Sequence, residues 1–511
     1  MLARVLSSSL IGIDPYLVEV EVNVEGQAFK YSTVGLPEMA VRESKDRVIS
    51  AVKNSGYRFP PKGYTINLAP ADVKKEGSAF DLPIAIGILA ALGIILHERL
   101  NDYVILGELS LDGTLRPVKG ALPSAVGVHE HGVRGLILPA PNAREAAVIG
   151  HVEVIPVHTL FEAIQFLNQE KPIKPFKVDA RKLFSKSQQY PLDIADVRGQ
   201  GHVKRALEVA AAGSHNVLMI GPPGSGKTML AKRFPTILPQ LTLDESLETT
   251  KIHSIAGMVK HEGLVATRPF RSPHHTISDA ALVGGGRIPR PGEVSLAHHG
   301  VLFLDELPEF QKNVLEVLRQ PLENAEVTIS RATMSLTYPA NFILLSAMNP
   351  CPCGYSGDPS HDCTCSPVLI QKYMAKISGP LLDRIDLHIE VPAISFEALA
   401  SKQDGETSRQ VRGRVQAARN SQTRRFVHET RTHSNADMSP QMIRQLCKID
   451  TASAKLLKSA ITNLGLSARA YDRILKVART IADLADSTEI CPEHIAEAIQ
   501  YRSLDRQLWM S

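Results

Sequence analysis

The clearest chemical motif in this 511-residue sequence is a glycine-rich loop that begins at Gly221 and ends at Thr228. An apolar strand, NVLMI, precedes the loop and a helical pattern, MLAKRF, follows it, which is the context in which G-x-x-x-x-G-K-[ST] binds phosphate. Lys227 would reach the β- and γ-phosphate oxygens, and the Thr228 hydroxyl would bind Mg²⁺. We therefore predict a nucleotide site formed by Gly221, Pro222, Pro223, Gly224, Ser225, Gly226, Lys227 and Thr228.

Two further apolar strands end in residues that suit phosphate hydrolysis. The first, VLFLDE, ends in Asp305, which would hold the Mg²⁺ shell, and Glu306, which would polarise an attacking water. The second leads to Asn349, whose amide would orient water near the γ-phosphate. A plain turn-forming Asn before a proline is the alternative for Asn349.

The segment LLDRID places Arg384 between two acids. Hydrolysis needs charge stabilisation that a phosphate loop alone does not supply, and an arginine from a neighbouring subunit can provide it. We predict this role for Arg384. The alternative is a local ion pair with Asp383 or Asp386.

Together GPPGSGKT, VLFLDE, Asn349, LLDRID and LSARAYDR at residues 466–473 resemble the AAA+ ATPases. Residues 325–340 resemble the β-hairpin inserted before the sensor strand in the magnesium-chelatase and MCM-helicase clade, and residues 253–299 resemble the insert in that clade's second helix. The phrases GQ-x-x-x-K-R-A-L, NPCPCG and SARAYDR are similar to the magnesium-chelatase-like YifB/ComM family, and the resemblance covers nearly the whole chain.

This resemblance implies an α/β protein with several parts. We expect a Lon-protease-like α/β domain at residues 1–167, a linker at 168–190, an AAA+ core with a parallel sheet at 191–392 and a helical lid at 393–511. A helix–strand alternation in the core and polar helical stretches after Pro392 agree with that division. The resemblance also implies that Arg469 is the second sensor on the γ-phosphate, with Arg473 as a competing assignment.

The N-terminal segments KEGSAFD and GELSLDGTLRP resemble the Lon protease domain and its relative in RadA. The Lon mechanism needs a serine activated by a lysine of lowered pKa. Ser78 aligns with the serine, but Leu122 and Pro123 stand where the lysine is expected. We therefore expect a scaffold or nucleic-acid platform that does not cleave peptide bonds.

Four of the six cysteines form two C-x-C pairs in a turn-rich loop directly after Asn349: Cys351, Cys353, Cys363 and Cys365. Four thiolates suit tetrahedral Zn²⁺, although C-x-C is tighter than the usual spacing. His361 is a possible substitute ligand, and reduced thiols or a stress disulfide are the alternatives. Cys447 and Cys491 lie in helical sequence and are expected in the core.

The net charge is only +4, so a nucleic-acid surface must be a local patch. Between residues 401 and 433, eight basic and three acidic side chains give a local charge of +5. The basic residues are Lys402, Arg409, Arg412, Arg414, Arg419, Arg424, Arg425 and Arg431, and the acidic ones are Asp404, Glu406 and Glu429. Phosphate contacts or a solvated lid surface explain this patch equally well.

Arg331 lies midway through the expected hairpin, which clade members point into a central pore, and we predict that it contacts DNA. A surface turn is the alternative. His274 and His275 resemble a family motif, and we expect them only to order their loop.

Composition points to a folded protein in a reducing compartment, with the cytoplasm as the default. The longest apolar run, residues 82–96, is too short to span a bilayer, and we expect a buried helix and no membrane partner. The family resemblance implies a hexameric ATPase, using ATP and Mg²⁺, that translocates on DNA and promotes branch migration in natural transformation. The alternatives are a metal-chelatase motor subunit, against which the fused Lon-like domain stands, and an ATP-dependent protein remodeller or protease adaptor.

Overall fold

The structure is a computed structural model that describes residues 1–504 except 76, 187–189, 260–262, 287–288, 332–333, 359, 394–404, 430–431 and 465–466. Lys402, Asp404, Arg431 and Leu466 of the sequence predictions lie outside the described residues. The strands are β1 (Leu2–Ile11), β2 (Asp14–Glu25), β3 (Lys30–Val34), β4 (Gly63–Ala69), β5 (Tyr103–Ile105), β6 (Glu108–Leu109), β7 (Leu115–Arg116), β8 (Gly135–Pro139), β9 (Glu153–Val157), β10 (Val217–Ile220), β11 (Phe270–Arg271), β12 (Gly284–Gly285), β13 (Arg290–Pro291), β14 (Val301–Leu304), β15 (Glu326–Arg331), β16 (Met334–Pro339), β17 (Ile343–Met348) and β18 (Leu387–Glu390).

The helices follow the same chain order. They are α1 (Met39–Arg42), α2 (Ser44–Asn54), α3 (Asp81–Ala91), α4 (Ala121–Glu130), α5 (Ala143–Ala146), α6 (Leu160–Leu167), α7 (Ala180–Lys186), α8 (Gly201–Gly213), α9 (Lys227–Ile237), α10 (Leu243–Ile255), α11 (Asp279–Val283), α12 (Glu293–Leu296), α13 (Lys312–Glu316), α14 (Arg319–Asn324), α15 (Pro367–Met374), α16 (Gly379–Leu382), α17 (Ser408–Arg425), α18 (Pro440–Leu446), α19 (Thr451–Leu464), α20 (Ala468–Leu484) and α21 (Pro492–Gln500).

The chain divides into two compact units. Unit 1 contains Met1–Gln188 and Leu243–Ala266, and unit 2 contains Gln189–Thr242 and Thr267–Ser511. This division places most of the expected linker in unit 1 and joins the expected core and lid in unit 2. It also assigns residues 243–266, which were expected in the ATPase core, to unit 1. Helix α10 instead packs on α4 of unit 1.

Unit 1 is built on a mixed sheet with the strand order β3-β4-β2-β1-β5-β8-β9. Strand β2 alternates buried and more exposed residues, as its alternating sequence predicts. Every residue of α3 is buried, which confirms the buried helix expected from the apolar run. The segment expected as a linker is partly structured, since it contains α7 and Phe176 pairs with Val154 of β9.

Unit 2 is built on a parallel sheet with the order β11-β14-β17-β10-β18. All residues of β10, β14 and β17 are buried, which explains their almost entirely apolar sequences. The one polar side chain, Ser346 of β17, donates to the carbonyl of Val217. The carboxyl ends of these three strands therefore lie at one edge, where the phosphate loop, Asp305 and Asn349 follow them. The expected AAA+ parallel sheet is confirmed.

Two other expectations for unit 2 are confirmed. Strands β15 and β16 pair antiparallel, with Arg331 opposite Met334 at the end of the ladder, so residues 325–340 contain the expected hairpin. From Ser408 onward, the described chain is helical with short connections. Among the described residues, no helix has both the length and the apolar character needed to cross a bilayer.

Candidate nucleotide site

The phosphate loop connects β10 to α9, where a buried strand ends and a helix begins. Gly224 and Gly226 have φ values of +76° and +89°, a region that glycine adopts without steric cost. These turns bring the chain into the first turn of α9, whose N–H groups lack partners within the helix. The loop thus supplies the anion-binding end of a helix beside the side chain of Lys227.

The ammonium of Lys227 folds back onto its own loop. It donates to the carbonyl oxygens of Gly221 at 2.6 Å and Pro222 at 2.8 Å, and its Nζ lies 3.3 Å from Oδ1 of Asn349. Burial lowers the pKa of Lys227, and the negative charge of Asp305 acts in the opposite direction. Because phosphate oxygens carry full negative charge, a bound nucleotide would favour the protonated lysine far more than these neutral carbonyls do.

Thr228 and Asp305 meet across 77 residues of sequence. The Thr228 hydroxyl donates to Oδ2 of Asp305 at 2.7 Å. A hydroxyl and a carboxylate are hard oxygen ligands, and Mg²⁺ commonly takes one or two such groups together with water and phosphate oxygens. The donor set therefore fits a Mg²⁺–nucleotide complex.

Glu306 occupies a left-handed backbone conformation, with φ of +54°. This conformation is uncommon for a residue with a Cβ and concentrates at functional sites. The Glu306 side chain is 57% exposed, and its Oε2 lies 3.4 Å from Nδ1 of His275. The sequence predicts only a loop-ordering role for His275, because nothing in the HH pair itself indicates which later residue it meets.

Asn349 follows β17 and is fixed by two neighbours. Besides the contact between its amide oxygen and Lys227, its backbone N–H bonds the hydroxyl of Tyr373. Burial raises the pKa of Tyr373 to about 12, so the phenol stays protonated at neutral pH. Sequence reasoning missed Tyr373, since it lies within a helix that carries no motif.

The four clustered cysteines come together as expected, and their sulfur atoms all lie within 4.8 Å of one another. His361 is placed differently: its ring stacks on Tyr355 at 4.7 Å between centroids, and its Nδ1 lies 3.7 Å from Asp358. Cys447 is buried, as expected for a core residue, whereas Cys491 is half-buried at the start of α21.

Arginine–carboxylate pairs lie at the other edge of the unit 2 sheet. Asp386 precedes β18, and its carboxylate accepts a bond from the backbone N–H of Asn216, which precedes β10, at 3.0 Å. In a parallel sheet this is the amino end of the strands. The phosphate loop lies at the carboxyl end of the same β10.

Arg384 is one member of this group and is 8% exposed. Its guanidinium pairs with Glu323 and donates to the carbonyl of Pro380. Arg384 is therefore ion-paired, but its described carboxylate partner is Glu323 and not Asp383 or Asp386, the two local partners that the sequence alternative named. The sequence could not indicate this partner because 61 residues separate the two.

The two candidate sensor arginines differ in environment. Arg473 is 21% exposed and pairs with the buried Asp386, whereas Arg469 is 66% exposed and lies 3.0 Å from Asp383. Burial opposes ionisation of Asp386, but the charge of Arg473 and the interaction with His215 outweigh it and lower the pKa of Asp386. Arg473 is thus held by a structural ion pair, and Arg469 is the more available of the two.

Helix α17 carries the described arginines of the basic segment, and they fall into two groups. Arg414 pairs with Glu208 and Glu406, Arg419 donates to the end of α8, and Arg425 pairs with Asp483. A weaker bond at 3.5 Å joins Arg412 to the carbonyl of Thr236. These contacts tie α17 to neighbouring helices, which leaves Arg409 and Arg424 as the arginines exposed along α17 without an acidic partner among the described contacts.

Arg331 ends strand β15 on the exposed side of the hairpin. Among the described residues, its guanidinium contacts the carbonyl oxygens of Gly286 and Ser330, both at 3.4 Å. No acidic group appears among these described contacts, so the charge of Arg331 is available to a ligand.

Ser78 of unit 1 has a carboxylate as its described hydrogen-bond partner. Its hydroxyl donates to Glu108. Nearby Lys75 is fully buried, and its ammonium donates to the carbonyls of Pro70 and Val73. A carboxylate that accepts the Ser78 proton differs from the lysine base of the Lon mechanism, and Leu122 lies in α4, where its backbone N–H bonds Glu145.

Three family models match the chain in sequence. The subunit ChlI of Mg-chelatase matches residues 20–142, the magnesium chelatase subunit ChlI matches residues 193–399, and the C-terminal model of that subunit matches residues 405–502. The matches cover both units.

Individual proteins extend this similarity to full length. The competence protein ComM of Haemophilus influenzae is 46% identical over 510 residues, covering 99% of this chain and 98% of ComM. The YifB protein of Escherichia coli is 44% identical over 511 residues, with the same coverage. The magnesium-chelatase 38 kDa subunit of Rhodobacter capsulatus is 24% identical over 58% of this chain and 82% of that subunit.

Proposed function

The chain belongs to the ComM/YifB family of magnesium-chelatase-like AAA+ proteins, and on that premise we propose that it is a ring-forming ATPase that moves along DNA and promotes branch migration during natural transformation. The family implies the use of ATP and Mg²⁺. The contact between Thr228 and Asp305 at 2.7 Å carries the ATPase part of the proposal. The identity to a competence protein supports the biological setting, and we place the activity in the cytoplasm.

In this proposal each residue of the site has one task. Lys227 and the loop N–H groups bind the phosphates, and Thr228 and Asp305 hold Mg²⁺, which neutralises charge on the β- and γ-phosphate oxygens. Glu306 accepts a proton from the attacking water, and Asn349 orients that water. The left-handed backbone of Glu306 keeps its carboxylate exposed at the sheet edge.

The positions of the arginines at the amino edge of the sheet support the proposal that the protein assembles into a ring. Strand β10 has four residues, so the two edges are separated by about 13 Å along the strand. Arg384 and Arg469 therefore lie too far along the sheet to serve the phosphates of their own subunit in this arrangement. We assign both to the site of a neighbouring subunit, and we propose a hexamer as the closed assembly.

Three exposed arginines support the proposal that DNA is the polymer along which the protein moves. Arg331, Arg409 and Arg424 have no acidic partner among the described contacts, so they are available for backbone phosphates, which carry no sequence information. The other arginines of helix α17, namely Arg412, Arg414, Arg419 and Arg425, contact neighbouring elements of unit 2. We therefore narrow the proposed DNA contacts to these three residues.

A chelatase motor is the competing function. The magnesium-chelatase subunit aligns with only part of this chain, whereas the competence protein aligns with all but 1% of it. The two functions differ in the ligand that stimulates ATP hydrolysis, which is DNA in one and a partner subunit with porphyrin in the other.

The decisive experiment measures ATP hydrolysis by the assembled protein with and without single-stranded and branched DNA at two salt concentrations. We expect stimulation by DNA, weaker at high salt because phosphate contacts release counterions. The absence of stimulation by any DNA, in an assembled protein that hydrolyses ATP, would reject DNA translocation and favour the chelatase or protein-remodelling alternatives.

The variant Arg331→Ala tests the hairpin contact. We expect it to lower DNA-stimulated hydrolysis and branch migration while basal hydrolysis stays unchanged. Lys312→Ala, which removes an exposed positive charge from α13, is the matched control. If both variants lower DNA-stimulated hydrolysis equally, Arg331 acts only through the net positive charge of the protein and not through a specific contact with DNA.

A further inference from the structure

The loop that follows Asn349 cannot be held by its own hydrophobic contacts. Residues 351–365, CPCGYSGDPSHDCTC, include no Val, Ile, Leu, Met or Phe, and the described part contains turns but no helix or strand. Loops of about this length without secondary structure are uncommon in compact domains unless they are functional or constrained. Some other interaction must offset the conformational entropy of ordering this loop.

The geometry of the cysteine sulfurs identifies that interaction. Sγ of Cys351 lies 3.3 Å from that of Cys353 and 3.7 Å from that of Cys363, and the last two are 3.6 Å apart. Four sulfurs at about 2.3 Å from one tetrahedral zinc would be about 3.8 Å apart. Disulfide formation joins sulfurs in pairs at about 2.05 Å, whereas here three sulfurs are nearly equidistant and a fourth, from Cys365, lies within 4.8 Å of each.

Backbone amides also point at these sulfurs. The N–H of Ser356 donates to Sγ of Cys351 at 3.3 Å, and the N–H of Tyr355 bonds Cys353. Such donors orient metal ligands and stabilise their negative charge. The stacking of His361 on Tyr355 holds that imidazole apart from the sulfur cluster.

We propose that Cys351, Cys353, Cys363 and Cys365 bind one Zn²⁺ as four thiolates, and that this site fixes the loop against the phosphate loop. The second half of the proposal, an effect of zinc on nucleotide turnover, rests on the proposed ATPase function. The first half, a zinc ion bound by these four residues, does not.

Gly354 supplies the link between the zinc site and the phosphate loop. It has φ of +91°, and a Cβ at this position would lie 2.6 Å from Cδ of Pro223 and 3.9 Å from Cγ of Asn349. The backbone between the two cysteine pairs therefore packs closely against Pro223 of the phosphate loop. Cys351 is fully buried and lies two residues after Asn349. Zinc would therefore fix both the chain segment that packs on Pro223 and the position of Asn349, which is proposed to orient water.

Metal content tests the first half directly. Protein purified under reducing conditions, incubated with Zn²⁺ and desalted, should contain about one zinc per chain by elemental analysis. The double variant Cys353→Ser/Cys363→Ser should lose it, whereas the control Cys447→Ser should retain it. Cobalt substitution should give the charge-transfer and visible bands of a four-thiolate tetrahedral site. A wild-type protein without stoichiometric zinc, or a double variant that keeps zinc, would overturn the proposal, and neither readout depends on ATP hydrolysis.

Two glycine variants test the second half without touching a ligand. Gly354→Ala and Gly357→Ala both place a Cβ on a residue of positive φ, but Gly357 has open space around that position. Both variants should retain zinc, and Gly354→Ala should reduce ATP hydrolysis on the order of 10-fold or more relative to Gly357→Ala. Equal hydrolysis by the two variants, with zinc retained in both, would show that the zinc loop does not control the nucleotide site.

Discussion

The two edges of the unit 2 sheet hold their cations in opposite ways. At the carboxyl edge, the described contacts of Lys227 are neutral oxygens, so the lysine has no fixed ion pair. At the amino edge, Arg384, Arg469 and Arg473 each pair with a carboxylate of the same unit. The carboxyl edge thus has a lysine that can bind an anion, whereas the arginines of the amino edge are already neutralised by carboxylates. The length of one short strand separates the two edges.

Under the proposed function, this contrast would allow the same fold to bind a nucleotide and to contribute an arginine to another subunit's site. A cation that serves its own site is kept near neutral acceptors, which a phosphate displaces at little cost. A cation that serves a neighbour is kept in an ion pair until assembly offers a stronger partner, because an unpaired buried charge is unfavourable. Arg384, with its exposed partner Glu323, fits the second arrangement.

The largest expected effect is at the carboxyl edge. Lys227→Ala should abolish binding of a fluorescent ATP analogue, because it removes the charge that contacts the phosphates. Glu306→Gln should bind ATP normally and lower hydrolysis on the order of 100-fold or more, since only proton transfer is lost. Lys232→Ala, on the exposed face of α9, should behave as wild type. Near-normal turnover by Glu306→Gln would remove Glu306 from its role as base.

The amino edge should show an effect that depends on assembly. Arg384→Ala should bind ATP but hydrolyse it on the order of 1,000-fold more slowly, the typical contribution of a transferred arginine. Mixing it with Glu306→Gln should restore part of the activity, since some mixed interfaces then contain an intact arginine and an intact base. Hydrolysis by dilute monomers at the rate of the assembled protein would contradict the assignment to a neighbour.

The buried pair at the amino edge should affect stability more than turnover. Asp386→Asn should lower the free energy of unfolding by about 3–5 kcal/mol, because Arg473 loses its buried partner. The pKa of Asp386 is lowered in the folded state, so the stability from its ionised form is fully present above the unfolded pKa of about 4 and is lost as pH falls through the folded value. Urea unfolding of wild type and variant should therefore converge at low pH.

The smallest effect is expected for His275. Replacing it with Gln should lower kcat less than about 10-fold, since its ring positions the Glu306 carboxylate without contacting substrate. His274→Gln is the neighbouring control, because His274 packs on the ring of His275 at 4.1 Å between centroids but has Thr276 and not Glu306 as its described hydrogen-bond partner. If kcat is the same in both variants, the contact between His275 and Glu306 has no role in turnover.

Sequence reasoning succeeded where function depends on local order along the chain. The phosphate loop and the acids after β14 each occupy one short segment, so residue spacing predicted their elements, and the family resemblance of residues 325–340 predicted the hairpin around Arg331. The contacts made by Glu323, His275 and Tyr373 were not predictable, because each residue reaches its partner from a distant element and no local pattern indicates that partner. The structural roles of Arg414, Arg419 and Arg425 were hidden for the same reason, since total charge does not reveal which arginines already have partners.

Residues 243–266 make unit 1 discontinuous in sequence. The chain finishes Met1–Gln188, continues into the phosphate loop and α9, and only then supplies α10, whose Ser254 donates to the buried Glu145 and accepts a bond from the N–H of Gly120. During synthesis, unit 1 is therefore incomplete until the ribosome has passed residue 266. Truncation at residue 188 would leave the surface around α4 uncovered, so an isolated unit 1 needs residues 243–266 joined to residues 1–188 by a linker in place of residues 189–242.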